Sequence, residues 1–175
     1  MQLIEIEKIL LNGEKNIKLI KLQQFMKSSN IEVRGAVAEL ITNPRIYKLV
    51  NPKLDFQDYY LFLFNYYIDC MQNNYDGDWS HSPYLAAYAL KDLIISIWDD
   101  NQRTKEQRIN LHKDIKKRLE KLSLEADQSF KITLINGLFE HLFEDTKILK
   151  YFSDWKNKDI LNQYYECSID KLKDI

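Results

Sequence analysis

The chain has 175 residues, 45% hydrophobic and 29% charged, with four glycines and three prolines. That composition excludes collagen-like and linker-like chains, disorder, and an all-β fold built on tight turns. The 25 Lys and Arg oppose 26 Asp and Glu for a formal net charge of −1, so no global basic excess points to nucleic acid.

Almost every segment repeats its apolar residues at helical period. Glu5 and Glu7 interrupt any signal-type apolar run at the amino terminus. Leu3, Ile6, Leu10 and Leu11 share one face of a first helix, stopped by Asn12-Gly13. Ile17, Ile20, Leu22, Phe25 and Met26 mark a second over 14–27, and Ser28-Ser29-Asn30 breaks it. A third, over 31–41, carries the small residues Gly35, Ala36 and Ala38 and ends at Asn43-Pro44.

The segment Phe56 to Met71 is apolar nearly all round and holds no Gly or Pro. Its length favours a buried helix over a strand. Ser82 and Pro83 are a helix start, hydroxyl cap and first-turn proline. The helix they open, Pro83 to Trp98, is again apolar on most faces, which predicts a central pair wrapped by amphipathic helices. Lys105 to Leu124 is charged, with Ile109, Ile115, Leu119 and Leu122 as a narrow stripe, and reads as a surface helix. Asp127 is placed to cap a helix over 129–143 that turns Phe130, Leu134, Leu138 and Phe139 inward. Gly137 in its middle costs about 1 kcal/mol against Ala, so a close helix contact is expected there. Short helices over 147–152 and 158–172 finish the chain. The expectation is a single all-α domain over 1–175, an irregular bundle of about eight helices. Val33-Arg34 and an Ala-rich turn have the style of HEAT helix pairs, without a regular period. Cys70 and Cys167 read as reduced, mostly buried thiols, and no apolar run spans a bilayer. A cytoplasmic protein away from the membrane follows.

Chemistry is sparse. There is no Gly-x-Ser-x-Gly turn, no Walker loop and no Gly-x-Gly-x-x-Gly. Ser80 and Ser82 flank His81, but Ser82 is better used as the helix cap. His81, His112 and His141 lack a His or Cys three or four residues away. Asp76-x-Asp78-x-Ser80 opens with calcium-loop spacing, yet Ala87 stands where the bidentate Glu belongs. No catalytic residue, metal or cofactor is expected. Lys113, Lys116, Lys117, Arg118 and Lys121 form a basic cluster diluted by Asp114, Glu120 and Glu125. It reads as a solvated face, with no direct nucleic-acid contact. What remains is a binding surface. Asp76, Asp78, Trp79 and His81 share one loop, Asp99 and Asp100 follow Trp98, and Glu140 and Glu144 lie in the acidic stretch 140–145. Aromatic side chains beside carboxylates suit a cationic protein partner.

Three strings carry a resemblance: His81-Ser-Pro-Tyr-Leu-Ala-Ala-Tyr-Ala-Leu90, Ile135-Asn-Gly-Leu-Phe-Glu-His-Leu-Phe-Glu-Asp145 and Tyr151-Phe-Ser-Asp-Trp155. Over about 78–165 the chain resembles a group of small all-helical bacterial proteins of the kind regarded as immunity proteins of toxin systems, including contact-dependent inhibition. The resemblance implies a binding protein that covers the active site of a cognate toxin domain, a nuclease by preference. The alternative is a helical-repeat adaptor for a cellular protein or peptide; an enzyme is the third class.

Overall fold

The computed structural model describes Val33 and residues 56–73, 82–101 and 103–172. The chain forms two compact units, Met1–Leu63 and Phe64–Ile175. Their boundary falls inside the first described helix, α1 (Phe56–Gln72). The expected helices of residues 1–50 and the loop holding Asp76, Asp78, Trp79 and His81 lie outside the described residues. So does most of what the single-domain expectation rests on. The protein is all-α: among the described residues 86% are helical and none is in a strand.

In its second half α1 buries Phe64, Tyr66, Ile68, Cys70 and Met71 and exposes Asn65 and Gln72. The second helix, α2 (Pro83–Trp98), starts where the sequence places it, with the Ser82 hydroxyl accepting from the Leu85 N–H at 3.3 Å. It is not buried all round, as its composition suggested. Ala86, Ala87, Leu90, Leu93, Ile94 and Ile97 face the core, while Tyr84, Leu85 and Tyr88 are exposed. Hydrophobic content fixes how much a helix can bury, but only the number of neighbours fixes how much it does.

A capping box opens α3 (Lys105–Glu125): Thr104 Oγ1 accepts from the Gln107 N–H, and Gln107 Oε1 accepts from the Thr104 N–H. Its inner line is Leu111, His112, Ile115, Leu119 and Ser123. The narrow stripe read from the sequence missed Leu111 and His112, because a histidine among lysines looks like surface. Outward, Lys116, Arg118 and Lys121 each meet a carboxylate, on Asp154, Asp114 and Glu125. Three of the five cations of the basic cluster are therefore paired where they stand.

Asp127 caps α4 (Gln128–Thr133), its Oδ1 accepting from the Phe130 N–H at 2.8 Å. The helix runs on through a π-helical turn, Leu134–Phe139, into α5 (Glu140–Leu142). The π turn brings Leu134 and Phe139 closer to one face than α winding would. Leu134 and Phe139 are both fully buried, yet five residues of α-helix would rotate them about 140° apart. Wider π winding stacks residues i and i+5, and the Glu140 N–H indeed bonds Ile135 O. Gly137 sits on this turn against α2. A Cβ there would stand 3.0 Å from Ala87 Cβ and 3.1 Å from Tyr84 Cδ1. The expected close helix contact is present, and α2 packs chiefly on the π turn.

The chain closes with α6 (Thr146–Tyr151), a 3₁₀ turn (Ser153–Asn157) and α7 (Asp159–Leu172). Around the π turn they build an aromatic core. Phe139 meets Phe143, Trp155 and Tyr164 at centroid distances of 5.5, 5.2 and 5.8 Å, and Phe152 lies 4.9 Å from Trp155. Trp155 is fully buried and donates its indole N–H to Glu120 Oε1 at 3.0 Å. Lys158 bridges Glu120 and Asp154, clasping α3 to the 3₁₀ turn. Burial pushes the Asp154 carboxyl up, but hydrogen bonds from Lys116 and Lys158 win and hold it below its ordinary range. Cys70 is buried as expected and free; Cys167 is also free but exposed, a correction to the buried-thiol reading. In α7 the inner line is Leu161, Tyr164, Tyr165 and Ser168, and Cys167 falls just off it. Among the described residues no helix is long and apolar enough to cross a membrane.

Candidate functional site

The two ends of α2 carry the same residue types in different settings. At the amino end, Tyr84, Leu85 and Tyr88 form one exposed stripe, at 47%, 39% and 40% exposure. The spacing i, i+1, i+4 places them on one side of the helix. Their neighbour across the π turn is α5. His141 stacks on Tyr88 with ring centroids 4.5 Å apart, and its Nε2 lies 2.7 Å from the Tyr88 hydroxyl. Its Nδ1 lies 3.0 Å from Glu144 Oε1. A carboxylate only accepts, so Nδ1 donates to Glu144; in the neutral ring Nε2 then accepts from the phenol. Lys91 Nζ adds a cation over the Tyr88 ring at 5.6 Å. Tyr88, His141 and Glu144 thus form a hydrogen-bonded relay open to solvent. Its chemical capacity is to hold a phenol and an imidazole in fixed orientation, which lowers the entropy lost when another surface orders them.

At the carboxyl end, Trp98 stacks on His112 at 3.8 Å between centroids, and Tyr151 meets both edge-on, at 5.6 and 6.1 Å. His112 is buried, and neither its Nε2 nor the Trp98 indole N–H has a hydrogen-bond partner. Burial and then the Arg108 charge push the His112 pKa down to about 4. Arg108 itself donates to Trp98 O at 2.8 Å, closing the end of α2. Burial, then Asp154 and Glu120, push the Tyr151 phenol up. Asp100 pairs with Arg103 at 2.7 Å, their side chains only 13% and 9% exposed.

Of the partner-binding residues expected from the sequence, Glu144 is tied to the exposed amino-end stripe through His141, Glu140 precedes His141 on α5, and Asp99 and Asp100 lie at the other end of α2. Sixteen helical residues put about 24 Å between those ends. Asp99 is exposed, but Asp100 is turned inward to Arg103 and is spent on the turn. The sequence reading passed over Tyr84, Leu85, Tyr88 and His141. The signal was available as the row 84–88–92–96, which includes Asp92 and Ser96 and so cannot be a core face.

No family, no curated protein and no solved structure matches the chain.

Proposed function

We propose that this is a toxin-neutralising immunity protein that acts in the cytoplasm and docks a cationic toxin domain on the amino end of α2. The observation that carries the docking surface is the stripe Tyr84, Leu85 and Tyr88, exposed together beside the His141–Glu144 pair. Tyrosines with two rotatable bonds and prefixed partners make anchors at low entropic cost. The carboxylates around them complement a basic groove, such as a nuclease turns to its substrate, and speed encounter. The toxin link is supported by the resemblance of the strings 81–90, 135–145 and 151–155. On this reading the protein is no enzyme, and the Tyr88–His141–Glu144 relay orients an interface.

The test is affinity capture from the native cells, with the wild-type chain and a Tyr84→Ala/Tyr88→Ala pair side by side. The expected result is a basic toxin domain retained by the wild type and lost by the pair, whose melting temperature stays within a few degrees. Retention by the pair overturns the surface. Capture of a cellular protein unrelated to any toxin replaces immunity with the adaptor reading.

A further inference from the structure

Tyr88, His141 and Glu144 also meet the geometric conditions for a nucleophile, its base and the group that orients the base. Tyr88 Oη lies 2.7 Å from His141 Nε2, and His141 Nδ1 lies 3.0 Å from Glu144 Oε1. With Nδ1 donating to Glu144, the neutral ring turns the Nε2 lone pair to the phenol proton. Ring stacking at 4.5 Å holds that direction. The contact is tertiary, since 53 positions separate the two partners in the chain. It is made where Gly137 lets α2 approach the π turn that leads into α5. Short π turns inside α-helices are frequent at functional sites. The phenol is also within reach of a reactant, because Tyr88 is 40% exposed.

A phenol is a weak nucleophile until a base takes its proton. Tyr84 supplies the contrast. It lies one turn earlier on the same face and is more exposed, at 47%, but both nitrogens of His141 are taken by Tyr88 and Glu144. The charge of the reactant follows from Glu144: its carboxylate disfavours an anionic phosphoryl donor and leaves a neutral acyl carbon unaffected. We infer that Tyr88 is an activated phenol that accepts an acyl group from a neutral activated ester or thioester. Tyr88 Oη attacks the acyl carbon while its proton passes to His141 Nε2. The bond from Oη to the acyl carbon forms, and the bond from that carbon to the leaving oxygen or sulfur breaks. His141 then returns the proton to the leaving group. Glu144 acts through His141 as a positioning residue and stabilises the imidazolium between the two proton transfers. The step is a single transfer and stands apart from the toxin reading, because it uses no partner protein.

The test is acetylation of the full chain by p-nitrophenyl acetate and by the acetyl thioester of N-acetylcysteamine, with the modified residues located by mass spectrometry. The expected result is acetylation of Tyr88 about tenfold or more faster than of Tyr84, a modest share of what a positioned base contributes. Hydroxylamine should remove the group, as it does from an aryl ester and not from a lysine amide. The donor with the larger ratio of Tyr88 to Tyr84 names the class, ester or thioester. His141→Phe keeps a ring against Tyr88 but takes no proton, and should bring Tyr88 within about threefold of Tyr84. His141→Gln, which takes no proton either, serves if that variant does not fold. Glu144→Ala should slow Tyr88 about threefold or more, and Glu144→Gln should recover the rate, because its amide oxygen still accepts from Nδ1. Equal rates at Tyr88 and Tyr84, an unchanged Tyr88 rate in the His141 variants, or an acetyl group held on His141 with none on Tyr88 each overturn the inference. Failure of Glu144→Gln to recover the rate overturns the positioning role.

Discussion

His141 and His112 sit at opposite ends of α2, each stacked on an aromatic residue of that helix, and they do opposite things. His141 has Tyr88 on one nitrogen and Glu144 on the other and keeps contact with water. His112 is buried against Trp98 and leaves Nε2 without a partner. The difference lies in what stands beyond each ring. Past His141 comes a turn with a carboxylate; past His112 come Tyr151 and the turn closed by Arg108. One end of the helix is a prepared surface and the other a packed joint. A histidine beside an aromatic residue is therefore no guide to function until its second nitrogen is accounted for.

The sharpest way to break this comparison is to remove one carboxylate from each end. Asp100→Ala removes the carboxylate that pairs with Arg103 in a nearly buried place and should cost about 2 kcal/mol in urea unfolding. Glu144→Ala removes a carboxylate whose side chain is 53% exposed and should cost less than about 0.5 kcal/mol. Equal costs would erase the distinction between joint and surface.

Acid titration probes the joint through His112. Its folded pKa, about 4, lies below the unfolded value of 6.5. The unfolded chain therefore binds the proton first. The stability that comes from keeping this ring neutral is complete above pH 6.5 and is lost as pH falls toward 4. The loss reaches about 3 kcal/mol at most. His112→Phe keeps a ring on Trp98 and should flatten the unfolding midpoint over that window relative to wild type. An unchanged slope would show that His112 is solvated.

Gly137 sharpens the surface end. Gly137→Val drives methyl groups into Ala87 and Tyr84 and should cost about 2 kcal/mol, read from the melting temperature. The Tyr88–His141 ring contact should loosen with it, seen as a shift of the His141 ring protons. The smallest effect on stability belongs to Tyr88→Ala, under about 1 kcal/mol for a side chain 40% exposed. The same change should speed dissociation of a captured partner about tenfold or more.

Much of this was legible from residues alone. The Ser82-Pro83 start, the Asp127 cap and the inward set Phe130, Leu134, Leu138 and Phe139 depend on local hydrogen bonds and helical period, which a sequence states directly. Gly137 announced its close contact because nothing else justifies a glycine in mid-helix. The candidate site was half legible. Glu140 and Glu144 were chosen for their charge, but the tyrosines that make them useful were read as core, since composition cannot tell which apolar residues a helix leaves over.

Over the described residues the sequence by itself determined the helices and the caps at Ser82 and Asp127, because those follow from contacts within about one turn. Only the tertiary structure decided the π turn at 134–139. That extra residue per turn is tolerated because Leu134 and Phe139 can both be buried against α2 and the aromatic core. It likewise decided that Asp100 turns inward while Glu144 orders His141, and that α1 and α3 end in the same cleft. Each of these depends on residues from separate helices meeting, and spacing along the chain carries no record of which helices meet.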